Sequence, residues 1–191
     1  FVIGTPVPIT LTFFPALPTT SCSGVCDGLV GVTAANGTPP YTYAWNNPSI
    51  DSAFFADSLC GGMVTVLVLD NNGCQKSDSI LVNEPTQLAA NVSGTDLTCG
   101  SASDGTVQSA ASGGTPPYTY AWDNGPVTST QAGLDLGTYC VTVTDSKGCA
   151  DSGCYTVANP PPLTLAMDST NESCGGSCDG VVRVVVAGGT G

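Results

Sequence analysis

Ten cysteines in a chain of 191 residues are the side chains with the widest choice of chemistry, because thiolates bind metals, attack substrates and form disulfides. The chain has no histidine, and its cysteines lack the paired Cys-x-x-Cys spacing of a zinc ribbon. Structural zinc is therefore disfavoured, as is a Ser-His-Asp or Cys-His catalytic arrangement within this chain. The cysteines predict disulfides instead, and disulfides indicate an oxidising compartment.

The acidic residues exclude further classes of function. Fifteen acidic and three basic residues give a formal net charge of −12. A nucleic-acid partner requires basic side chains to neutralise phosphates, and an anionic membrane surface repels an acidic protein. The acids are scattered singly, without the paired carboxylates of a glycosidase, and no apolar run reaches membrane-spanning length. We therefore expect no nucleic-acid partner, no membrane insertion, no enzymatic activity and no cofactor.

Internal repeats organise the chain. The motif GTPPYTYAW at 37–45 recurs at 114–122, and DNNGC at 70–74 matches DSKGC at 145–149. The repeats predict the last strand of a preceding unit at 1–5, a first repeat at 6–84, a second at 85–159 and the first part of a further repeat at 160–191. Both ends fall inside a unit, so we expect the chain to be part of a longer tandem array.

Each repeat has the pattern of β-strands. Apolar and polar residues alternate at 64–70, 140–145 and 181–187, and Asn-Gly, Gly-Gly and Pro-Pro pairs separate the strands. Several short strands in so few residues predict an all-β fold of tandem immunoglobulin-like antiparallel β-sandwiches. Trp45 and Trp122, each in the strand after a Pro-Pro turn, are the expected core anchors.

So small a sandwich usually needs a covalent link to be stable. Cys22 and Cys74 occupy positions equivalent to those of Cys99 and Cys149. Equivalence predicts the bonds Cys22–Cys74 and Cys99–Cys149, each worth roughly 4 kcal/mol in the chain-entropy model. A local bridge from Cys22 to Cys26 is the competing scheme.

The remaining cysteines differ between the repeats. The second repeat has Ser103 and Asp135 where the first has Cys26 and Cys60, and because both are replaced together we expect Cys26–Cys60 to be bonded. Cys140 and Cys154 are equidistant from Lys147 at the centre of a hairpin turn, so they face each other on adjacent strands and are expected to pair. Cys174 and Cys178 are expected to pair with residues beyond Gly191.

The sequence also contains candidate calcium ligands and candidate glycosylation sites. Asp27, Asp104 and Asp179, each before a glycine, could supply calcium oxygens, although Asp-Gly pairs more often make turns. Asp-Ser followed by Ala, Leu, Ile or Thr is similar to a bacterial O-glycosylation sequon. It occurs at the O-glycosylation candidates Ser52, Ser58, Ser79 and Ser169.

The segments GGTPPYTYAWDNG at 113–125 and LDLGTYCVTVTDSKGC at 134–149 resemble the SprB repeat of Bacteroidota gliding-motility adhesins and giant surface proteins. The Pro-Pro-Tyr-x-Tyr-x-Trp part is also similar to PKD-type domains. The first repeat departs from the pattern, with Val64 where the second has Tyr139. The resemblance implies a cell-surface protein exported by the type IX secretion system, with tandem sandwiches forming a filament or stalk in the setting of gliding motility. The O-glycosylation candidates would make it a glycoprotein.

The sequence therefore predicts a structural and adhesive segment of an extracellular bacterial surface fibre. Its expected partners are neighbouring repeats of the same chain, other fibre subunits, and surface glycans or substrata. The alternative is a carbohydrate- or calcium-dependent binding module of a larger secreted enzyme.

Overall fold

The computed structural model describes residues 7–15, 18–46, 53–171, 173–176 and 178–189. Within these ranges the chain forms fourteen β-strands and no helix. The strands are β1 (Thr10–Phe14), β2 (Gly28–Ala35), β3 (Thr42–Trp45), β4 (Phe55–Leu59), β5 (Gly62–Leu69), β6 (Gln75–Val82), β7 (Val92–Thr95), β8 (Gly105–Ser109), β9 (Thr119–Trp122), β10 (Thr130–Leu134), β11 (Gly137–Thr144), β12 (Ala150–Val157), β13 (Thr164–Thr170) and β14 (Val181–Ala187).

The same pair of sheets forms twice along the chain. Strands β1, β2 and β4 make one three-stranded sheet in the order β1-β2-β4, and β3, β5 and β6 make a second in the order β3-β5-β6. Strands β7 to β12 repeat the arrangement as β7-β8-β10 and β9-β11-β12. The pairings of β2 with β1 and β4, of β5 with β3 and β6, and of β8 with β7 and β10 are antiparallel. The predicted all-β class of tandem antiparallel sandwiches is confirmed.

The inward side of the alternating strands forms the core. Val30, Val66 and Val68 are fully buried, and Trp45 is 8% exposed with its indole N–H donating to the carbonyl of Ala53 at 2.9 Å. The second repeat buries the equivalent residues Val107, Trp122, Val141 and Val143, together with Leu134 and Val157. Apolar residues at every second position therefore place the same face inward in both repeats.

Contacts divide the chain into two compact units that do not follow the sequence repeat. Unit 1 contains Phe1–Ala89, Ser112–Tyr118 and Thr144–Ala150, and unit 2 contains Ala90–Ala111, Thr119–Val143 and Asp151–Gly191. Two loops of the second sequence repeat thus belong to unit 1. The repeat boundaries at 6–84 and 85–159 stay a prediction.

Strands β13 and β14 pair with each other as a two-stranded antiparallel ladder. Every residue of both strands is exposed, although β14 has the sequence VVRVVVA. No helix in the described ranges has the length and apolar character needed to cross a membrane.

Candidate functional site

One aspartate organises each hairpin turn that ends in a cysteine, at 70–74 and 145–149; we call these segments the cysteine hairpins. Oδ1 of Asp145 accepts hydrogen bonds from the backbone N–H of Lys147 at 2.8 Å and of Cys149 at 2.9 Å. Its Oδ2 accepts from the N–H of Thr115 at 2.7 Å. The equivalent donors to Asp70 are Asn72, Cys74 and Thr38. The carboxylate therefore fixes the cysteine of each hairpin against the Gly-Thr-Pro-Pro loop.

A second aspartate closes each loop that carries the first cysteine of a repeat, at 21–27 and 98–104; we call these the cysteine loops. Oδ1 of Asp27 accepts from the N–H of Ser21 at 2.8 Å, and Oδ1 of Asp104 from that of Thr98 at 3.1 Å. Asp179 accepts in the same way from Ser173 at 2.9 Å. These three calcium candidates thus serve as turn acceptors. In the described residues, no three His, Cys, Asp or Glu side chains are grouped closely enough to hold a metal ion.

These hydrogen bonds lower the pKa of the carboxyl groups, because they stabilise the ionised form. The hydroxyl and the N–H of Ser21 lower the pKa of Asp27, and those of Thr98 lower the pKa of Asp104. For Asp70, the N–H of Thr38 is the largest cause of the lowered pKa.

For Asp145, the largest single influence on the pKa opposes the hydrogen bonds. Its burial acts to raise the pKa, but the backbone N–H groups of Thr115, Cys149 and Lys147 together outweigh it, so the pKa is lowered. All of these carboxyl groups are charged near neutral pH and hold their turns as anions.

In the structure, Cys22 forms a disulfide with Cys149, and their Cα atoms are 5.7 Å apart. This corrects the pairing expected from the sequence, in which Cys22 is bonded to Cys74 and Cys99 to Cys149. The bond joins the cysteine loop of the first repeat to the cysteine hairpin of the second, and both segments belong to unit 1. Cys74 and Cys99 are exposed thiols.

The geometry of a single sandwich explains the correction. The cysteine loop lies beside the end of β6, where the N–H of Thr20 donates to the carbonyl of Asn83 at 3.0 Å. Cys74 immediately precedes β6, whose eight residues span roughly 26 Å at about 3.3 Å per residue. The Cα atoms of a disulfide lie within about 7 Å. Cys22 and Cys74 are therefore at opposite ends of one sandwich and cannot meet.

The structure contains the bond Cys26–Cys60 that the sequence led us to expect. The competing bridge from Cys22 to Cys26 does not form, since each cysteine has another partner. At the equivalent place in the second repeat, the hydroxyl of Ser103 donates a hydrogen bond to Oδ1 of Asp135. One repeat thus uses a covalent link where the other uses a hydrogen bond.

The structure also contains the expected bond Cys140–Cys154, between β11 and β12. At the equivalent place in the first repeat, Thr65 of β5 is paired with Ser79 of β6 in the antiparallel register. Of the glycosylation candidates, Ser58, Ser79 and Ser169 are exposed, whereas Ser52 lies outside the described residues.

One polar residue of this region was missed by the sequence reasoning. Oε1 of Glu84, the last residue of the first repeat, accepts hydrogen bonds from the hydroxyl of Ser23 at 3.1 Å and from the N–H of Gly24. This carboxylate ties the cysteine loop to the segment that leads into the second repeat. In the sequence, Glu84 stands out only by its position before Pro85. Polar residues are common in such linkers, so this position does not predict the hydrogen bonds.

A family model described as the SprB repeat matches residues 20–49 and 91–127. The two matches include the cysteine loop and the buried tryptophan of each repeat. No curated protein sequence matches the chain with significance.

A comparison with solved structures finds the following similarities. The C-terminal 282-residue fragment of intimin, in complex with the intimin-binding domain of its translocated receptor, is 15% identical with a TM-score of 0.38; the match covers 86% of this chain and 67% of that one. The fibronectin(III)-like modules of Clostridium thermocellum CbhA are 14% identical with a TM-score of 0.33, covering 78% and 95%. The amphioxus IgVJ-C2 molecule is 14% identical with a TM-score of 0.30, covering 81% and 98%.

Proposed function

We propose that this chain, two segments of which match the SprB repeat, is a structural and adhesive segment of an extracellular bacterial surface fibre. The observation that carries the proposal is the bond Cys22–Cys149, which covalently joins two successive sequence repeats. A disulfide of this kind is useful in a protein that bears load or meets proteases outside the cell. The proposed export route is type IX secretion, the proposed context is gliding motility, and the exposed serines are proposed to carry glycans.

The proposed role is mechanical and not catalytic. The sequence has no histidine to serve as a general base, and the aspartates of the cysteine loops and hairpins are engaged in turns. Short proline segments between the repeats, at Pro85 and at 160–162, restrict the backbone between sandwiches because proline fixes φ. These features suit a semi-rigid array that presents its surface to glycans or a substratum.

Antibodies against the chain test the location on intact cells of the source bacterium. The proposal expects labelling without permeabilisation, loss of the label after brief protease treatment of whole cells, and reduced attachment when Fab fragments are bound. Labelling that requires permeabilised cells would contradict it. The complete reading frame separates the fibre from the alternative, since many further repeats favour the fibre and a catalytic domain favours a binding module of an enzyme.

Pulling on the two ends of single molecules tests the mechanical role. Cys22 and Cys149 are separated by 127 positions along the chain. This separation has a contour of roughly 440 Å at about 3.5 Å per residue, and the bond keeps that length out of the stretched chain. We expect this length to appear only after reduction. The C22S/C149S variant should release most of it without reductant, because only the residues closed by Cys26–Cys60 and Cys140–Cys154 stay out of the stretched chain. Equal lengths of the unsubstituted chain before and after reduction would rule out a load-bearing bond.

A further inference from the structure

Two cysteine positions recur in both full repeats, and within those two repeats each position is found once bonded and once as a thiol. Cys22 and Cys99 occupy the same place in the two cysteine loops, and Cys74 and Cys149 the same place in the two cysteine hairpins. Cys22 and Cys149 are bonded and half-buried, whereas Cys99 and Cys74 are exposed thiols. The bonded pair shows what each of these positions can do.

The loop around Cys99 is built like the loop around Cys22. The N–H of Leu97 donates to the carbonyl of Ala158 at 3.1 Å, as that of Thr20 donates to Asn83 at 3.0 Å. Asp104 closes the loop as Asp27 does. Cys99 is therefore held beside the end of β12, in the position that Cys22 has beside the end of β6.

The hairpin around Cys74 is likewise built like the hairpin around Cys149. Asp70 accepts the same three backbone hydrogen bonds as Asp145. The N–H of Asn71 donates to the carbonyl of Thr38 at 2.8 Å, and that of Ser146 to Thr115 at 2.9 Å. Cys74 thus has the backbone setting in which Cys149 forms its bond.

The segment that follows the second repeat reproduces the surroundings of the existing bond. The N–H of Gly189 donates to the carbonyl of Pro161 at 2.9 Å, as that of Gly114 donates to Thr86 at 2.7 Å. Gly114 packs so closely on the bonded cysteine hairpin that a Cβ there would lie 2.6 Å from Oδ2 of Asp145. Gly189 is therefore positioned to pack against the cysteine hairpin of its own repeat, as Gly114 packs against the hairpin at 145–149.

Both exposed thiols open into grooves of about 530 Å³. The groove at Cys99 is lined by Thr98, Gly100, Leu163 and Gly189 among others, all within unit 2. The groove at Cys74 is lined by Ile9, Gly37, Asp70 and Gln75 among others, all within unit 1. Each groove combines a thiol with the backbone of a neighbouring segment, and so fits a second loop of this chain type.

We propose that Cys99 and Cys74 are two halves of a disulfide that recurs between successive repeats. Cys99 bonds to the cysteine hairpin of a following repeat, and Cys74 bonds to the cysteine loop of a preceding one. The inference rests on the proposed tandem array, and it names neighbouring repeats as the partners of these two thiols. Every repeat would then be linked to the next through the cysteine positions that already join Cys22 to Cys149.

Each new bond requires the loss of two electrons and two protons from two thiols. The oxidant is a protein disulfide of the exporting compartment. The Cys99 thiolate attacks one sulfur of that disulfide, forms a mixed disulfide and releases one oxidant thiolate. The hairpin thiolate then attacks the Cys99 sulfur and displaces the second thiolate, so the oxidant leaves as a dithiol that carries the two protons.

A chain extended by one repeat tests the proposal: residues 1–159 followed by residues 85–191. The 191-residue chain and the extended chain are alkylated without reduction and then cut with trypsin. The two copies of Cys99 fall in different peptides, because cleavage after Lys76 and Lys147 leaves the first in 77–147 and the second in a peptide that spans the new junction. We expect first-copy Cys99 to change from fully alkylated in the original chain to unalkylated in the extended one. The readout is the alkylation of Cys99 itself, because Cys140–Cys154 already links its peptide to the following ones.

The matched control is C149S in the second copy alone, which should return first-copy Cys99 to full alkylation. The link between Cys22 and first-copy Cys149, read in the same digest, reports whether the repeats have folded together. First-copy Cys99 that stays alkylated while this link is present overturns the proposal, and so does absence of this link from the 191-residue chain. Labelling of intact cells does not depend on these thiols, so the surface-fibre proposal can hold even where the disulfide proposal fails.

Discussion

The two full repeats have the same arrangement of strands, but their internal disulfides join different strands. The first joins the start of β2 to the end of β4 through Cys26–Cys60, where the second has a hydrogen bond from Ser103 to Asp135. The second joins β11 to β12 through Cys140–Cys154, where the first pairs Thr65 with Ser79. Each sandwich therefore has one internal disulfide, and the frame accepts it at either of two places. The comparison indicates that each small sandwich uses one internal disulfide, and that the pair of strands joined by it differs between the repeats.

The largest effect is expected from the bond that joins the repeats. Closing 127 residues is worth about 5 kcal/mol in the chain-entropy model, so C22S/C149S should lower the free energy of unfolding by up to that amount. Urea unfolding followed by tryptophan fluorescence measures it. Because each repeat has one tryptophan, W122F leaves a reporter in the first repeat alone and W45F in the second alone.

The control is C74S/C99S, which removes two exposed thiols and should leave the free energy of unfolding unchanged. A trypsin digest without reduction checks the pairing directly. Cys22–Cys149 links peptide 1–76 to peptide 148–183, whereas a Cys22–Cys74 bond would release 1–76 on its own. Release of that peptide would contradict the structure.

Exchanging the first closure between repeats is expected to have the next largest effect. C26S/C60D gives the first repeat the hydrogen bond of the second, at a cost of about 3 kcal/mol, because a 34-residue loop is worth about 4 and a hydrogen bond about 1. Urea unfolding in the W122F background measures the loss. The reverse exchange, S103C/D135C in the W45F background, should form a disulfide and stabilise the second repeat; if it forms no disulfide, the two sites are not equivalent.

Exchanging the second closure should give a slightly smaller effect. C140T/C154S replaces a bond that closes 14 residues, worth about 3 kcal/mol, with the Thr-Ser pair of the first repeat. Fluorescence of Trp122 in the W45F background reports the loss. T65C/S79C is the reciprocal variant, and its failure to oxidise would show that β5 and β6 are aligned differently from β11 and β12.

The smallest effect concerns the aspartates of the cysteine hairpins. The folded-state pKa of Asp70 and of Asp145 lies below the ordinary value of 3.8, so their contribution to stability is present above that pH and is lost as the pH falls through the folded-state pKa. D70N should flatten the acid dependence of unfolding in the first repeat, and D145N in the second. D57N, at an exposed position of β4, is the control. Unchanged acid profiles in both hairpin variants would contradict the role of these carboxylates.

The sequence by itself determined the local structure and the repeat. Alternation of apolar residues fixed which face of β5 and β11 is buried, and Trp45 and Trp122 are buried as their place after the Pro-Pro turn predicts. The bonds within single sandwiches were also accessible, since Cys140 and Cys154 flank one turn symmetrically and Cys26 and Cys60 are replaced together. In each case the information lies within one repeat or in the comparison of two.

Only the tertiary structure decided which cysteine of one repeat meets which cysteine of another. Equivalent positions suggested Cys22 with Cys74, but the length of β6 places these two at opposite ends of a sandwich. Cys22 is bonded to Cys149 instead, because the cysteine hairpin of the second repeat belongs to the same compact unit as the cysteine loop of the first. The sequence of one repeat gives the position of each cysteine along the chain, whereas a disulfide depends on distances between cysteines that only the folded chain sets.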